Sequence, residues 1–151
     1  MKAFNVDNRT LDYTDKNENH YILQLRGKIN IVKRASGTGK TYLAQALKYE
    51  KKSEIGQEKR FDNIVVIDHE KDLDDIQGAE NSLIIIDRAD RLIMPASSIA
   101  DYINTDTNNN TYLIFARGQI GIAYTPNYVA EFIRDDKQIG IKYLYNVRGW
   151  F

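Results

Sequence analysis

"VKRASGTGKTYLAQAL", residues 32–47, decides how the rest of the chain is read. It begins at the end of "KINIV" (28–32), a short run of β-formers. Gly37 and Gly39 then flank a threonine, and from Lys40 onward Leu43, Ala46, Leu47 and Glu50 recur at helical spacing, with Gln45, Lys48 and Lys52 elsewhere. A strand, a glycine-rich loop and an amphipathic helix in that order bring many backbone N–H groups to one point, as a polyphosphate chain requires. Gly37 and Gly39 permit close approach. Lys40 offers a point charge and Thr41 a hydroxyl for Mg²⁺, while the helix dipole turns its positive end toward the anion.

Working outward, "NIVVID" (63–68), "SLIIID" (82–87) and "TYLIFAR" (111–117) are short, almost wholly apolar runs separated by helical or polar stretches. Such runs signal strands of a parallel sheet covered on both faces. The expected fold is therefore α/β, a three-layer α/β/α arrangement with a mainly parallel sheet and antiparallel strands added near the termini, in one domain over residues 1–151. "YILQL" (21–25) reads as a hairpin or close strand pair with "KINIV" around Arg26-Gly27. The first helix should fade through "KKSEIG", and Leu73 and Ile76 allow one short turn before Gly78. Pro95 can open a helix with Ile99, Tyr102 and Ile103 on one face, followed by the polar loop "NTDTNNN". Thr125 can cap another helix from Pro126, with Val129, Phe132 and Ile133 inward, and "IGIKYLYNVRGW" has strand character.

A phosphate loop also needs a carboxylate at the end of a buried neighbouring strand, and Asp87 ends "LIIID". With these pieces the chain, over roughly residues 28–117, resembles the P-loop NTPases, and within them the additional-strand division of AAA, DEAD-box and recombinase-like ATPases. Compact stand-alone bacterial P-loop proteins are similar in length and plan. Gly37, Gly39, Lys40 and Thr41 match the pattern G-x-x-x-x-G-K-[ST], and Arg34 stands in place of its first glycine. The resemblance implies phosphate contacts from Ser36, Gly37, Thr38, Gly39, Lys40, Thr41 and Tyr42, with Mg²⁺ held by Thr41 and Asp87. It implies that Lys40 and Arg117, the latter at a strand end, neutralise phosphate charge. Many members carry a catalytic glutamate after the metal aspartate. Here that position is Arg88, which cannot act as a base. Asp68 and Glu70, in "DHEKD" (68–72), are the replacement candidates, set against a solvated acidic turn.

Composition limits the alternatives. At 42% hydrophobic and 28% charged, the chain is globular in character. Lys plus Arg and Asp plus Glu number 21 each, so the charge balance argues against nucleic acid as a partner. No cysteine is present, which excludes disulfides and thiolate metal sites and suits a cytoplasmic location. No apolar run approaches a membrane span, and the N-terminal residues are too polar for a signal peptide. The first expectation is a Mg²⁺-dependent nucleoside-triphosphate-binding protein with weak or partner-stimulated hydrolysis. The absence of an NKxD guanine motif favours ATP and leaves GTP open. A phosphotransferase and a non-hydrolysing nucleotide switch are the alternatives. A protein partner or self-association would suit either the switch or a site completed by a neighbour's arginine, and the tyrosines of the C-terminal third offer a surface for it.

Overall fold

The computed structural model describes residues 1–33, 40–54, 59–95, 97–118 and 120–145. Among the described residues, nine strands form a single sheet: β1 (Phe4–Asn5), β2 (Thr10–Thr14), β3 (His20–Gln24), β4 (Ile29–Lys33), β5 (Ile64–Ile67), β6 (Leu83–Asp87), β7 (Thr111–Ala116), β8 (Val129–Asp135) and β9 (Gln138–Tyr143). Three helices accompany them, α1 (Lys40–Ser53), α2 (Ala89–Leu92) and α3 (Ser98–Thr105), with 3-10 segments at Glu70–Ile76 and Pro126–Tyr128. The sheet order is β1-β2-β3-β9-β8-β4-β7-β6-β5. Strands β5, β6, β7 and β4 run parallel, and β8 joins β4 in parallel through Ile31 opposite Val129. The other half is mixed, with β9 antiparallel to β8, β3 parallel to β9, and β1 and β2 antiparallel additions.

This corrects the three-layer, mainly parallel expectation. The sheet is mixed and nearly closed, like a barrel, with 34% strand against 26% helix. Its first strand curls back toward β5: the Ala3 amide donates to the Arg60 carbonyl at 2.9 Å, and Asn63 Nδ2 donates to the Phe4 carbonyl at 3.0 Å. The physical reason lies in side-chain alternation. All six residues of β7 and the first four of β6 are buried, because both faces of that half are covered. In β2 and β3 only alternate residues are buried, Leu11 and Tyr13 on one strand and Tyr21 and Leu23 on the other. A half-exposed sheet of this kind takes no second helical layer. Its apolar face instead closes over Leu43, Ala44 and Leu47 of α1, which share one core with Leu11, Tyr13, Tyr21, Leu23 and Phe115. The opposite face of the parallel half packs Ile31, Ile84, Ile86 and Ile114 against Ala89, Ala100 and Ile103 of α2 and α3.

Two local expectations also change. β3 and β4 do not pair, since their partners are β2 and β9, and β7 and β8. Fully buried Asn30 holds the connection between them: its Oδ1 accepts from the Arg26 and Gly27 amides at 3.1 and 3.3 Å, and its Nδ2 donates to the Gly27 carbonyl at 2.7 Å. A Cβ on Gly27 would meet the Tyr128 ring at 2.7 Å, so the close approach requires glycine there. The helix expected from Pro126 is a single 3-10 turn leading into β8. Val129 and Ala130 are both buried against β4, and the Phe132 ring packs edge-on to Phe115 at 5.6 Å, contacts an amphipathic helix could not make in register with β4. Among the described residues, no helix is long and apolar enough to cross a membrane.

Candidate functional site

Parallel strands deliver their carboxyl ends to one edge of a sheet, and the residues that follow gather there. At that edge β4 ends at Lys33 and α1 begins at Lys40. Arg34, Ser36, Gly37, Thr38 and Gly39 lie outside the described residues, as do the side chains of Lys40 and Thr41. The same edge receives Asp87 as the last residue of β6, Asp68 directly after β5, and Arg117 directly after β7. β7 lies between β4 and β6, so the position of Arg117 falls between the start of the glycine-rich stretch and Asp87.

A cavity of about 440 Å³ opens beside α1. Asp68, His69, Glu70 and Asp87 line it from the strand ends, Arg88, Arg91 and Leu92 from the segment after β6, and Gln45 from α1. Asp68 and Glu70 thus share a cavity with Asp87, whereas Arg117 is exposed and outside its lining. Tyr42 faces the other flank of α1, where its hydroxyl accepts from Asn17 Nδ2 at 2.9 Å.

Charges in the cavity are paired in a definite pattern. Lys48 Nζ, reaching from α1, donates to Asp68 Oδ1 at 2.5 Å and to Asp72 Oδ2 at 2.8 Å. Asp72 Oδ2 also accepts from the Asp68 and His69 amides at 3.3 and 3.1 Å, which fixes the acidic turn. Burial alone would raise the Asp72 carboxyl; the Lys48 ammonium and the Asp68 amide outweigh it and hold it below the ordinary carboxylate range. Burial likewise opposes charge on Lys48, and the two carboxylates reverse the balance and raise it. Asp68 thus shares one ammonium with Asp72. Glu70 is exposed, and its carboxylate has no hydrogen-bond or ion-pair partner among the described residues.

Arg88 turns away from any role as a base. One terminal guanidinium nitrogen donates to Asp90 Oδ2 at 2.8 Å, and Asp90 Oδ1 accepts the Arg117 amide at 3.2 Å, so Asp90 ties the exit of β7 to the segment after β6. Burial would raise Asp90, but Arg88 and that amide hold its carboxyl below the usual range. Arg88 Nε is buried without a hydrogen-bond partner among the described residues.

The sequence reading gave no role to Lys48, Asp72, Asp90 or Gln45. Two carboxylates four apart in "DHEKD" were a signal for a shared cation, but the cation comes from a different element, which no local pattern reveals. Among the described residues, no group of three or more His, Asp or Glu is placed to hold a metal ion by itself. No family model, curated protein or solved structure matches the chain.

Proposed function

We propose that the protein binds a nucleoside triphosphate with Mg²⁺, ATP ahead of GTP, at the carboxyl edge of its parallel strands, and turns it over slowly. The observation that carries this reading is convergence: both ends of the glycine-rich stretch, Asp87, and the carboxylates Asp68 and Glu70 meet at one edge beside a cavity of about 440 Å³. Phosphate charge falls to Lys40, with Arg88 and Arg91 on the cavity wall as further cations. Thr41 and Asp87 are the residues that would hold Mg²⁺; Asp87 fits because it is a half-buried carboxylate on the cavity wall. The metal supplies charge neutralisation across the phosphates. Arg117, directly after the strand between, is suited to charge that develops during transfer.

Slow turnover follows from the carboxylates. Asp68 is paired with Lys48, and the position after Asp87 holds an arginine already bound to Asp90. Glu70 is the remaining candidate to orient water. The same pairs favour a second reading, a nucleotide switch that binds without hydrolysis until a partner or a second copy rearranges them. We place the protein in the cytoplasm, where its cysteine-free chain meets millimolar nucleotide.

A phosphorus NMR time course with excess Mg·ATP, run beside Lys40→Ala and repeated with GTP, tests the proposal. Slow release of phosphate that disappears in the variant is expected. Broadened signals without conversion would select the switch. Unperturbed spectra with both nucleotides would end the reading.

A further inference from the structure

A second cavity, of about 340 Å³, lies on the flank of α1 that faces the β2–β3 turn. Tyr42, Gln45, Ala46 and Tyr49 line it from one face of the helix, as their spacing of three, four and seven dictates. Tyr13 and Lys16 close it from the turn. That wall is fixed. Asp15 Oδ1 accepts the Asn17 and Asn19 amides at 2.8 and 2.9 Å, Asn17 Nδ2 donates to the Tyr42 hydroxyl, and the Tyr13 hydroxyl donates to Glu50 Oε2 at 3.1 Å. Tyr49, by contrast, is 68% exposed, an aromatic ring over an open cavity.

We infer that this tyrosine-lined cavity is the nucleobase subsite, taking a purine ring against Tyr42 and Tyr49. The inference rests on the nucleotide reading above. A nucleotide has two ends with different needs: an anionic tail that requires cations and N–H groups, and a flat heterocycle that requires aromatic faces with polar groups at its edge. The two cavities divide along these lines. One carries Arg88 and Arg91 with three carboxylates; the other carries three tyrosines with Gln45 and Lys16, its carboxylates Asp15 and Glu50 already engaged by the Asn17 and Asn19 amides and by the Tyr13 hydroxyl. Gln45, near the start of α1, lines both, so the aromatic cavity lies one residue away from the charged one. A volume near the lower end of small-molecule sites, roughly 300–1,000 Å³, suits one heterocycle better than a folded segment. Stacking on tyrosine tolerates any base, which agrees with a chain that lacks a guanine motif.

Calorimetric titration of the wild type, Tyr49→Ala and Tyr49→Phe with Mg·ATP and with Mg·tripolyphosphate tests this. The wild type should prefer ATP. Tyr49→Ala should weaken ATP about tenfold and leave tripolyphosphate unchanged, and Tyr49→Phe, which keeps the ring, should bind ATP normally. Equal affinity for the two ligands in the wild type, or an unchanged ATP affinity in Tyr49→Ala, would overturn the base subsite and leave phosphate binding standing. A parallel loss of both ligands in Tyr49→Ala would assign Tyr49 a structural role on α1 and also overturn it. Failure of the wild type to bind either ligand would remove both readings.

Discussion

Leu23→Ala and Ile22→Ala, two neighbouring substitutions in β3, test whether the sheet closes over α1. Leu23 is fully buried, opposite Leu11 in the register and within the core that contains Leu43 and Leu47. Ile22 is 45% exposed on the other face of the same strand. Truncating leucine removes about 2 kcal/mol of transfer free energy, at roughly 0.8 kcal/mol per carbon. The cavity left among Tyr13, Tyr21 and α1 brings the expected loss to about 2–5 kcal/mol. For a chain of this length each kcal/mol lowers Tm by about 2–4 °C, so a loss near 3 kcal/mol appears as roughly 6–12 °C. Ile22→Ala should cost about 1 kcal/mol or less, since its side chain is already half in water. Urea unfolding followed by far-ultraviolet circular dichroism gives both values, with an unchanged slope as the check that the folded state stays intact. A loss below about 1 kcal/mol for Leu23→Ala, or equal losses for the pair, would mean that the β2–β3 hairpin does not cover α1.

Two further outcomes are expected. Asp106 Oδ2 accepts from the Tyr112 hydroxyl at 2.6 Å and from Asn110 Nδ2 at 2.8 Å; against the effect of burial, these bonds hold its carboxyl below the ordinary 3.8. Its stabilisation is complete above that value and is lost as pH falls through the lower folded value, so urea midpoints should decline more steeply in acid for the wild type than for Asp106→Asn, and parallel declines would count against it. For turnover, Glu70→Gln should lower phosphate release by about 10²-fold, whereas Asp68→Asn should change it little, since Lys48 already holds the Asp68 carboxylate; the reverse order in a coupled phosphate assay would move the base to Asp68.

What the sequence disclosed depended on whether the signal was local. Ile64–Ile67, Leu83–Asp87 and Thr111–Ala116 announce themselves because strands buried on both faces must be apolar throughout. Lys40–Ser53 announces itself by its period and by the glycines before it. β3 was legible as "YILQL", but β1 and β2 were not. "TLDYT" carries three polar residues, Thr10, Asp12 and Thr14, around two inward ones, Leu11 and Tyr13, so alternation over five residues barely exceeds chance. The segment from Pro126 misled for the opposite reason: Val129, Phe132 and Ile133 fit a helical face, and only pairing with Ile31 and with β9 makes it a strand. Asp87, Asp68 and Glu70 were legible as candidates, because each stands where an apolar run breaks. Their pairing was not: whether a carboxylate is available to water depends on Lys48 and Asp90, placed by tertiary structure.

The mixed architecture keeps the carboxyl edge of the parallel strands and changes what surrounds it. Residues gather at the ends of parallel strands wherever a few such strands lie side by side, and β4, β7, β6 and β5 meet that condition by themselves. The mixed half determines a different property. Because β2 and β3 curl over α1, the flank of the helix that a flat sheet would leave to solvent or to another helix is walled by Tyr13 and the turn after it. One helix therefore separates a charged cavity from an aromatic one, and Gln45 belongs to both. A ligand spanning the two would bridge the parallel half and the hairpin through α1. Its binding energy would then also stabilise the closure of the sheet, the feature that distinguishes this fold from the one expected.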